Sequence, residues 1–155
     1  VLRQAAQLTE DDQRRYYRDV VRPSFDRVDT KIMLFSYFLG DALIGYGGLT
    51  NIDWGSRRAE ISFLLETGRS DRHQRQPEQY RSDFSHFLRL MQRLAFEELN
   101  LQRLFTETYD IRPLHISVLE ENGFAFEGRM RNHVYIDGRF VDSLIHGCLK
   151  ENQHV

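Results

Sequence analysis

The sequence predicts an α/β domain in which helices cover a mixed, largely antiparallel sheet. Two hairpins supply most of the sheet, because residues 31–52 turn at Gly40-Asp41 and residues 132–149 turn at Asp137-Gly138. Between the hairpins, residues 78–99 carry apolar side chains every three or four positions, which is the period of an amphipathic helix. Helices and strands mixed in this order pack as layers around one core.

The first half of the chain is predicted to contain one helix and three strands. Thr9 precedes an acidic turn and apolar residues at helical spacing, so a helix begins there and ends before Pro23. The two strands of the first hairpin, residues 31–39 and 42–52, come next. Residues 59–66 are mostly apolar, which predicts a central third strand.

The second half is predicted to contain a long helix, a strand, a short helix and the second hairpin. The long helix begins near Pro77, a favoured first helical position. The strand covers residues 104–109, and the short helix covers residues 113–121 and stops at Asn122-Gly123. The apolar stripe of the long helix consists of Tyr80, Phe84, Leu88, Met91, Ala95 and Leu99, widened by Phe87, Leu90 and Leu94.

Composition favours one domain over residues 1–155 with a local binding site. The net charge is −2, from 21 basic and 23 acidic residues, so no global field attracts nucleic acid or an anionic membrane. A polar N-terminus and the absence of a long apolar run predict a cytoplasmic protein without a signal peptide. The valine at position 1 suggests a processed end or a segment excised from a longer polypeptide.

Metal and nucleophile chemistry are not predicted. The six histidines are scattered and no Cys-x-x-Cys pair occurs, so we expect no metal site. No Gly-x-Ser-x-Gly motif marks a serine nucleophile. Cys148 is the one cysteine, which excludes an intramolecular disulfide, and its apolar neighbours predict a buried strand residue.

A basic loop ahead of the long helix is the sharpest local feature of the sequence. Arginines and a histidine at a helix N-terminus can bind an anion such as a phosphate by charge. The alternative is an ordinary solvated loop. The residues concerned are Arg69, Arg72, His73, Arg75 and Arg81.

Two residues are candidates for proton transfer. Glu60 begins the third strand, where a carboxylate partly removed from water becomes a better proton acceptor for an amine substrate. Its alternative role is a salt bridge to Arg57 or Arg58. His115 can exchange protons near neutral pH, and its alternative role is a structural hydrogen bond in the short helix.

The last hairpin carries polar side chains that suit a substrate pocket. Period-two alternation places His133 and Tyr135 on one face of their strand, and Asp142 lies on the partner strand. The alternative for each of the three is ordinary cross-strand pairing.

Several motifs resemble the GNAT superfamily of N-acyltransferases. Residues 122–128 (Asn-Gly-Phe-Ala-Phe-Glu-Gly) resemble the glycine-phenylalanine and glutamate-glycine pairs of that family. Residues 44–63 resemble its third and fourth strands, and residues 137–143 resemble its final hairpin. The branches it resembles most are the ribosomal-protein alanine acetyltransferases and the enzymes that acetylate nucleotide-linked 4-amino sugars. The resemblance implies the GNAT fold, with helices on both faces of the sheet.

The resemblance also implies a reaction. A GNAT enzyme moves an acyl group from acyl-coenzyme A, here acetyl-CoA as co-substrate, to a primary amine by direct attack in a ternary complex. The amine is a small molecule or a protein N-terminus. The strand backbone at Phe63, Leu64 and Leu65 would hold the thioester carbonyl. Either a homodimer or fusion to another domain is compatible with this interpretation, and no nucleic-acid or membrane partner is expected.

Three departures from the family pattern support a competing hypothesis. Residues 79–85 contain none of the glycines that wrap the coenzyme A pyrophosphate, and Ser82 lies near one of those positions. Arg112 replaces an asparagine that contacts coenzyme A. Leu119 replaces a tyrosine that protonates the departing thiolate. The alternative is therefore a GNAT-shaped binding or regulatory module that has lost coenzyme A binding.

Overall fold

The computed structural model describes residues 9–66 and 76–152. One six-stranded sheet organises them, in the order β1-β2-β3-β4-β6-β5. Every neighbouring pair is antiparallel except β3 and β4, which are parallel, so the predicted mixed sheet is confirmed. The strands are β1 (Met33–Leu39), β2 (Ala42–Asp53), β3 (Arg58–Leu65), β4 (Arg103–Tyr109), β5 (Ala125–Ile136) and β6 (Arg139–Leu149).

Within the described ranges, three main helices follow in the order that the sequence predicts. They are α1 (Glu10–Tyr16), α2 (Pro77–Arg93) and α3 (Pro113–Glu121). A π-helical turn (Leu94–Glu98) extends α2, and a 3₁₀ turn (Lys150–Asn152) follows β6. No helix within the described residues is both long enough and apolar enough to cross a bilayer.

The N-terminal helix continues beyond its predicted end. The hydroxyl of Thr9 accepts a hydrogen bond from the backbone N–H of Asp12 at 3.1 Å, which caps α1 as predicted. A π-helical turn (Tyr17–Val21) and a last helical segment (Arg22–Ser24) then carry the chain past Pro23. The predicted end before Pro23 is wrong, because proline is tolerated in the first turn of a new helical segment.

The core lies between the sheet and the helices α2 and α3. The predicted stripe residues Tyr80, Phe84, Leu88, Met91 and Ala95 are all buried. Gly47 permits this close packing, because a Cβ at that position would lie 2.7 Å from the Phe87 ring of α2. Leu90 is 50% exposed, so its assignment to the stripe is wrong.

The opposite face of the sheet carries α1. Gly45 and Gly47 pair with Leu65 and Phe63, whose side chains face α2, so Tyr46 between the two glycines points the other way. There, burial and then the nearby Tyr16 of α1 raise the pKa of the Tyr46 phenol. Helices therefore lie on both faces, as the GNAT resemblance implies.

The second hairpin is longer than predicted. Its turn is correct, since Asp137 and Gly138 both have positive φ angles, 48° and 80°, as a type I′ turn requires. However, β5 begins at Ala125 rather than at residue 132. No residue of β5 is buried, because β5 is an edge strand with its side chains largely in solvent. The predicted start at residue 132 is therefore wrong.

Candidate active site

A cleft opens where β3 and β4 diverge. The two parallel strands pair from Arg58 and Arg103 as far as Glu60 and Phe105, and beyond that point a cavity of about 630 Å³ separates them. The first residues of α2 and α3 close one end of the cavity. Its lining includes Ile61, Phe63, Leu64 and Leu65 of β3, Thr106, Glu107, Thr108 and Tyr109 of β4, and the helical residues Tyr80, Phe84, Arg112 and His115.

Backbone donors of β3 point into this cleft. The N–H of Glu66 bonds to the carbonyl of Ile44 in β2 at 2.9 Å, and successive residues of a strand direct their N–H groups to opposite sides. The N–H groups of Phe63 and Leu65 consequently point toward β4. Because the β3–β4 ladder ends at Glu60, these donors can bond a ligand in the cleft. Leu64 contributes its side chain to the wall.

Glu60 lies at the point where the strands separate. Glu60 is 7% exposed, and its Oε2 accepts a hydrogen bond from Nδ2 of Asn51 at 2.6 Å. Of the two arginines considered as alternative partners, Arg58 lies 3.7 Å from Asp53 and Arg57 donates to the carbonyl of Asn100 at 2.9 Å. The position fits a proton acceptor for a ligand in the cleft, and that role stays a prediction.

A buried hydrogen bond joins α2 to α3 at the helical end of the cleft. The hydroxyl of Tyr80 lies 2.5 Å from Nδ1 of His115, and Nη2 of Arg112 donates to the same hydroxyl at 3.4 Å. The His115 ring also stacks on Phe84 at 4.2 Å. This arrangement provides the structural hydrogen bond considered for His115, and its role in proton transfer stays a prediction.

The electrostatics of this pair fix the charge states of its two groups. Burial, then Arg112 and His146, hold the pKa of His115 well below its usual value. Burial also raises the pKa of Tyr80 to about 12, against a smaller opposing effect of Arg112. The phenol is therefore protonated and the imidazole neutral at pH 7, so the bond joins two uncharged groups.

Neutral burial of His115 predicts a pH-dependent stability. Its folded-state pKa lies below the unfolded value of 6.5, so the unfolded state binds the proton first as the pH falls. The free energy of unfolding should therefore decrease below pH 6.5, by up to about 1.4 kcal/mol per pH unit from this group. Urea unfolding between pH 7.5 and 5 should show a shallower decline for His115→Gln than for the unsubstituted protein.

The exposed His86 on α2 provides the matched control for this measurement. His86→Gln should leave the slope unchanged, because His86 lies on the exposed side of α2, away from the buried Tyr80–His115 pair. An equal slope in the His115→Gln variant and the unsubstituted protein would contradict neutral burial.

The predicted anion-binding residues do not all lie together. Arg112 lines the cleft. Arg81 forms a salt bridge with Glu121, whose hydrogen bond raises the pKa of the guanidinium, and lies 3.8 Å from Glu78. Ser82 is exposed and is not part of the cleft lining. Arg69, Arg72, His73 and Arg75 lie outside the described residues.

The predicted substrate residues of the last hairpin lie outside the large cleft. His133 lines a second, shallower cavity, with its Nε2 3.5 Å from Oε1 of Glu107. Tyr135 is 66% exposed and contacts Phe140 edge to face. Asp142 accepts a hydrogen bond from Arg129 at 2.8 Å, and that bond lowers the pKa of its carboxyl group. For Tyr135 and Asp142 the geometry matches cross-strand pairing, and their substrate role stays a prediction.

Sequence reasoning missed the polar residues of β4 that line the cleft, Thr106, Glu107, Thr108 and Tyr109. Glu107 and Tyr109 line both the large cleft and the second cavity. A glutamate within the alternating strand of residues 104–109 was the available signal. Leu119 is fully buried in the core and is not part of the cleft lining, so a side chain there packs rather than faces a ligand.

Comparison with known protein families shows the family to which this chain belongs. A family model described as an acetyltransferase (GNAT) domain matches residues 6–145. This chain belongs to the GNAT acetyltransferases. The GNAT resemblance found in the sequence and the acyltransferase activity that it implies are thereby confirmed at the level of the family. Comparison with curated protein sequences gave no significant match.

Solved GNAT structures show the same fold. Spermidine N-acetyltransferase from Vibrio cholerae in complex with CoA and spermine superposes with a TM-score of 0.76 at 20% identity, covering 96% of this chain and 80% of that one. A dodecameric structure of the Vibrio cholerae enzyme in an intermediate state gives 0.72 at 21% identity, covering 92% and 75%. These similarities establish the architecture. In the described part of this GNAT chain, no group of three His, Cys, Asp or Glu side chains could hold a metal ion.

Proposed function

We propose that this GNAT domain transfers an acetyl group from acetyl-CoA to a primary amine by direct attack in a ternary complex. The observation that carries the proposal is the separation of β3 from β4 immediately after Glu60. One cleft thus combines a buried carboxylate with strand N–H groups that point into it. Amide formation from a thioester requires a proton acceptor and donors for the carbonyl oxygen.

Each group has a defined task in this mechanism. Glu60 accepts the proton of the substrate ammonium, directly or through a water molecule, so that the amine nitrogen can attack the thioester carbon. The N–H groups of Phe63 and Leu65 donate to the carbonyl oxygen as negative charge develops on it. The C–N bond forms, the C–S bond breaks, and the coenzyme leaves as its thiolate. No covalent intermediate with the protein is required.

Donor binding in this proposal relies on cationic side chains. Arg112 is the N-cap residue of α3 and lines the cleft, where a guanidinium can pair with a phosphate. Arg72 and Arg75 precede α2 in the sequence and are proposed to assist. Arg81 contributes less, because Glu121 already neutralises it. Charge on side chains thus replaces the glycine-rich backbone nest that other family members use.

The acceptor is proposed to be a cationic amine. Glu60 and Glu107 place two carboxylates in the lining of the cleft, which favours binding of an ammonium group. The Vibrio cholerae enzymes of the same fold are spermidine N-acetyltransferases. Spermidine is therefore the first acceptor to test here, with n-butylamine and a peptide bearing a free N-terminus as comparisons.

Titration calorimetry tests donor binding. Acetyl-CoA should bind, and its affinity should fall as salt increases, because attraction to exposed charges is screened. The affinity should fall about tenfold or more in Arg112→Ala and in the Arg72→Ala/Arg75→Ala double variant, since each loses charge-assisted bonds to phosphate. The measurements are made at low and at high salt on all three proteins.

A control variant and two possible results separate the charge mechanism, the enzyme and the binding module. Arg93→Ala, an exposed arginine on the far part of α2, serves as control and should leave the affinity unchanged. Salt-insensitive binding would contradict the charge mechanism while retaining the enzyme. If millimolar acetyl-CoA produced neither heat nor a thermal shift, the acetyltransferase proposal would give way to the binding module, because a ligand well above its Kd stabilises the fold it binds.

Release of coenzyme A thiol in the presence of each amine then identifies the acceptor.

A further inference from the structure

Asn51 has an unusual backbone conformation beside the cleft. Its φ angle is 48°, in the left-handed region that side chains other than glycine seldom occupy, although asparagine tolerates it best. The residue lies within β2, where the pairing with β3 shifts register between Thr50 and Asp53. Such a conformation persists where the surrounding structure holds it, and it is concentrated at functional sites.

The irregularity redirects the Asn51 side chain. Thr50 is paired with Glu60 across the β2–β3 ladder, so the two side chains share a face of the sheet. In a regular strand the next residue, Asn51, would point to the opposite face. The bulge cancels this alternation and brings Nδ2 of Asn51 within 2.6 Å of Oε2 of Glu60.

The bond joins two groups of the same cleft. Asn51 and Glu60 both line it, and Glu60 is 7% exposed. A carboxylate can rotate about its last bond, and an amide donor on one oxygen restricts that rotation. Fixing Oε2 also fixes the direction of Oε1, so the Asn51 donor sets the orientation of the whole carboxylate within the cleft.

We propose that Asn51 is a positioning residue that orients the Glu60 carboxylate for proton transfer. This inference rests on the proposed function, because it requires Glu60 to accept the proton. Asn51 acts through Glu60 and does not itself take part in the chemistry. The opposing interpretation is a purely structural bond between β2 and β3, which would influence folding stability and leave turnover unchanged.

Asn51→Gly distinguishes the two interpretations. Glycine adopts a positive φ angle without strain, so this variant keeps the backbone while it removes the amide donor. We expect kcat to fall about tenfold to a hundredfold, as small misplacements of a catalytic group do. The KM for acetyl-CoA and the thermal midpoint should change little. The assay is release of coenzyme A thiol with spermidine, or with the amine of the panel that is turned over fastest.

Asn100→Gly is the matched control. Asn100 also has a positive φ angle, 51°, and its side chain accepts a hydrogen bond from Lys150 at 2.9 Å outside the cleft. The substitution removes the same amide from the same backbone conformation. Its kcat should equal that of the unsubstituted protein.

The double variant Asn51→Gly/Glu60→Gln shows whether the effect passes through Glu60. If it does, the double variant and Glu60→Gln should have the same kcat, since residues that act as a unit are not additive. The positioning role would be overturned by a normal kcat in Asn51→Gly, or by a double variant whose loss of kcat is the sum of the two single losses. Either result would leave the proposed function intact, provided that Glu60→Gln is impaired. Normal turnover in Glu60→Gln, or no turnover of any amine, would overturn the proposed function and this inference with it.

Discussion

Glu60→Gln is expected to lower kcat for amine acetylation by about 10²–10⁴-fold at neutral pH, the usual contribution of a positioned general base. Glutamine keeps the size of the side chain and can still bond to Asn51 through its amide oxygen, but it cannot take up the ammonium proton. Because Glu60 is proposed to act on the acceptor amine, the affinity for acetyl-CoA should be nearly unchanged. Steady-state kinetics and calorimetry on the same preparation measure both quantities.

Glu97→Gln controls for the loss of a carboxylate as such. Glu97 lies in the turn that extends α2, with its side chain 61% exposed, and should be kinetically silent. A rate for Glu60→Gln within a factor of two or so of the unsubstituted protein would remove Glu60 from the mechanism. A loss of rate together with a large loss of donor affinity would indicate that Glu60 supports the donor site instead.

Local signals were sufficient to predict most of the fold. The period of residues 78–99, Pro77 and the Asp137-Gly138 turn each depend on a few neighbouring residues, and each prediction is confirmed. The first part of β5 was missed for a physical reason. An edge strand with no buried residue has no need for an alternating apolar pattern, so its sequence lacks the signal by which strands are recognised.

Long-range contacts limited prediction of the site. The hydroxyl of Tyr80 meets His115 across 35 positions of sequence, and nothing local announces that bond. Asn51 reaches Glu60 only because β2 is irregular at that point, and a regular strand would have placed it on the other face. The sequence could therefore locate Glu60 at the start of a strand, whereas its partner and its distance from the helical end of the cleft required coordinates.

Phe84 connects the core to the wall of the cleft. It is 1% exposed, and its ring stacks on Phe63 of β3 at 4.7 Å and on His115 of α3 at 4.2 Å. The ring, which α2 carries, thus packs against both β3 and α3. Aromatic contacts of this kind contribute beyond the area that they bury.

Phe84→Ala should accordingly reduce the free energy of unfolding by about 3–5 kcal/mol, from lost apolar burial and from the cavity that remains. That is a large part of the roughly 5–15 kcal/mol typical of a domain, so urea unfolding should be measured at low temperature. Leu90→Ala on the same helix is the control, because Leu90 is 50% exposed and the change should cost less than about 1 kcal/mol. A loss below about 1 kcal/mol for Phe84→Ala would contradict the packing of α2 against β3 and α3.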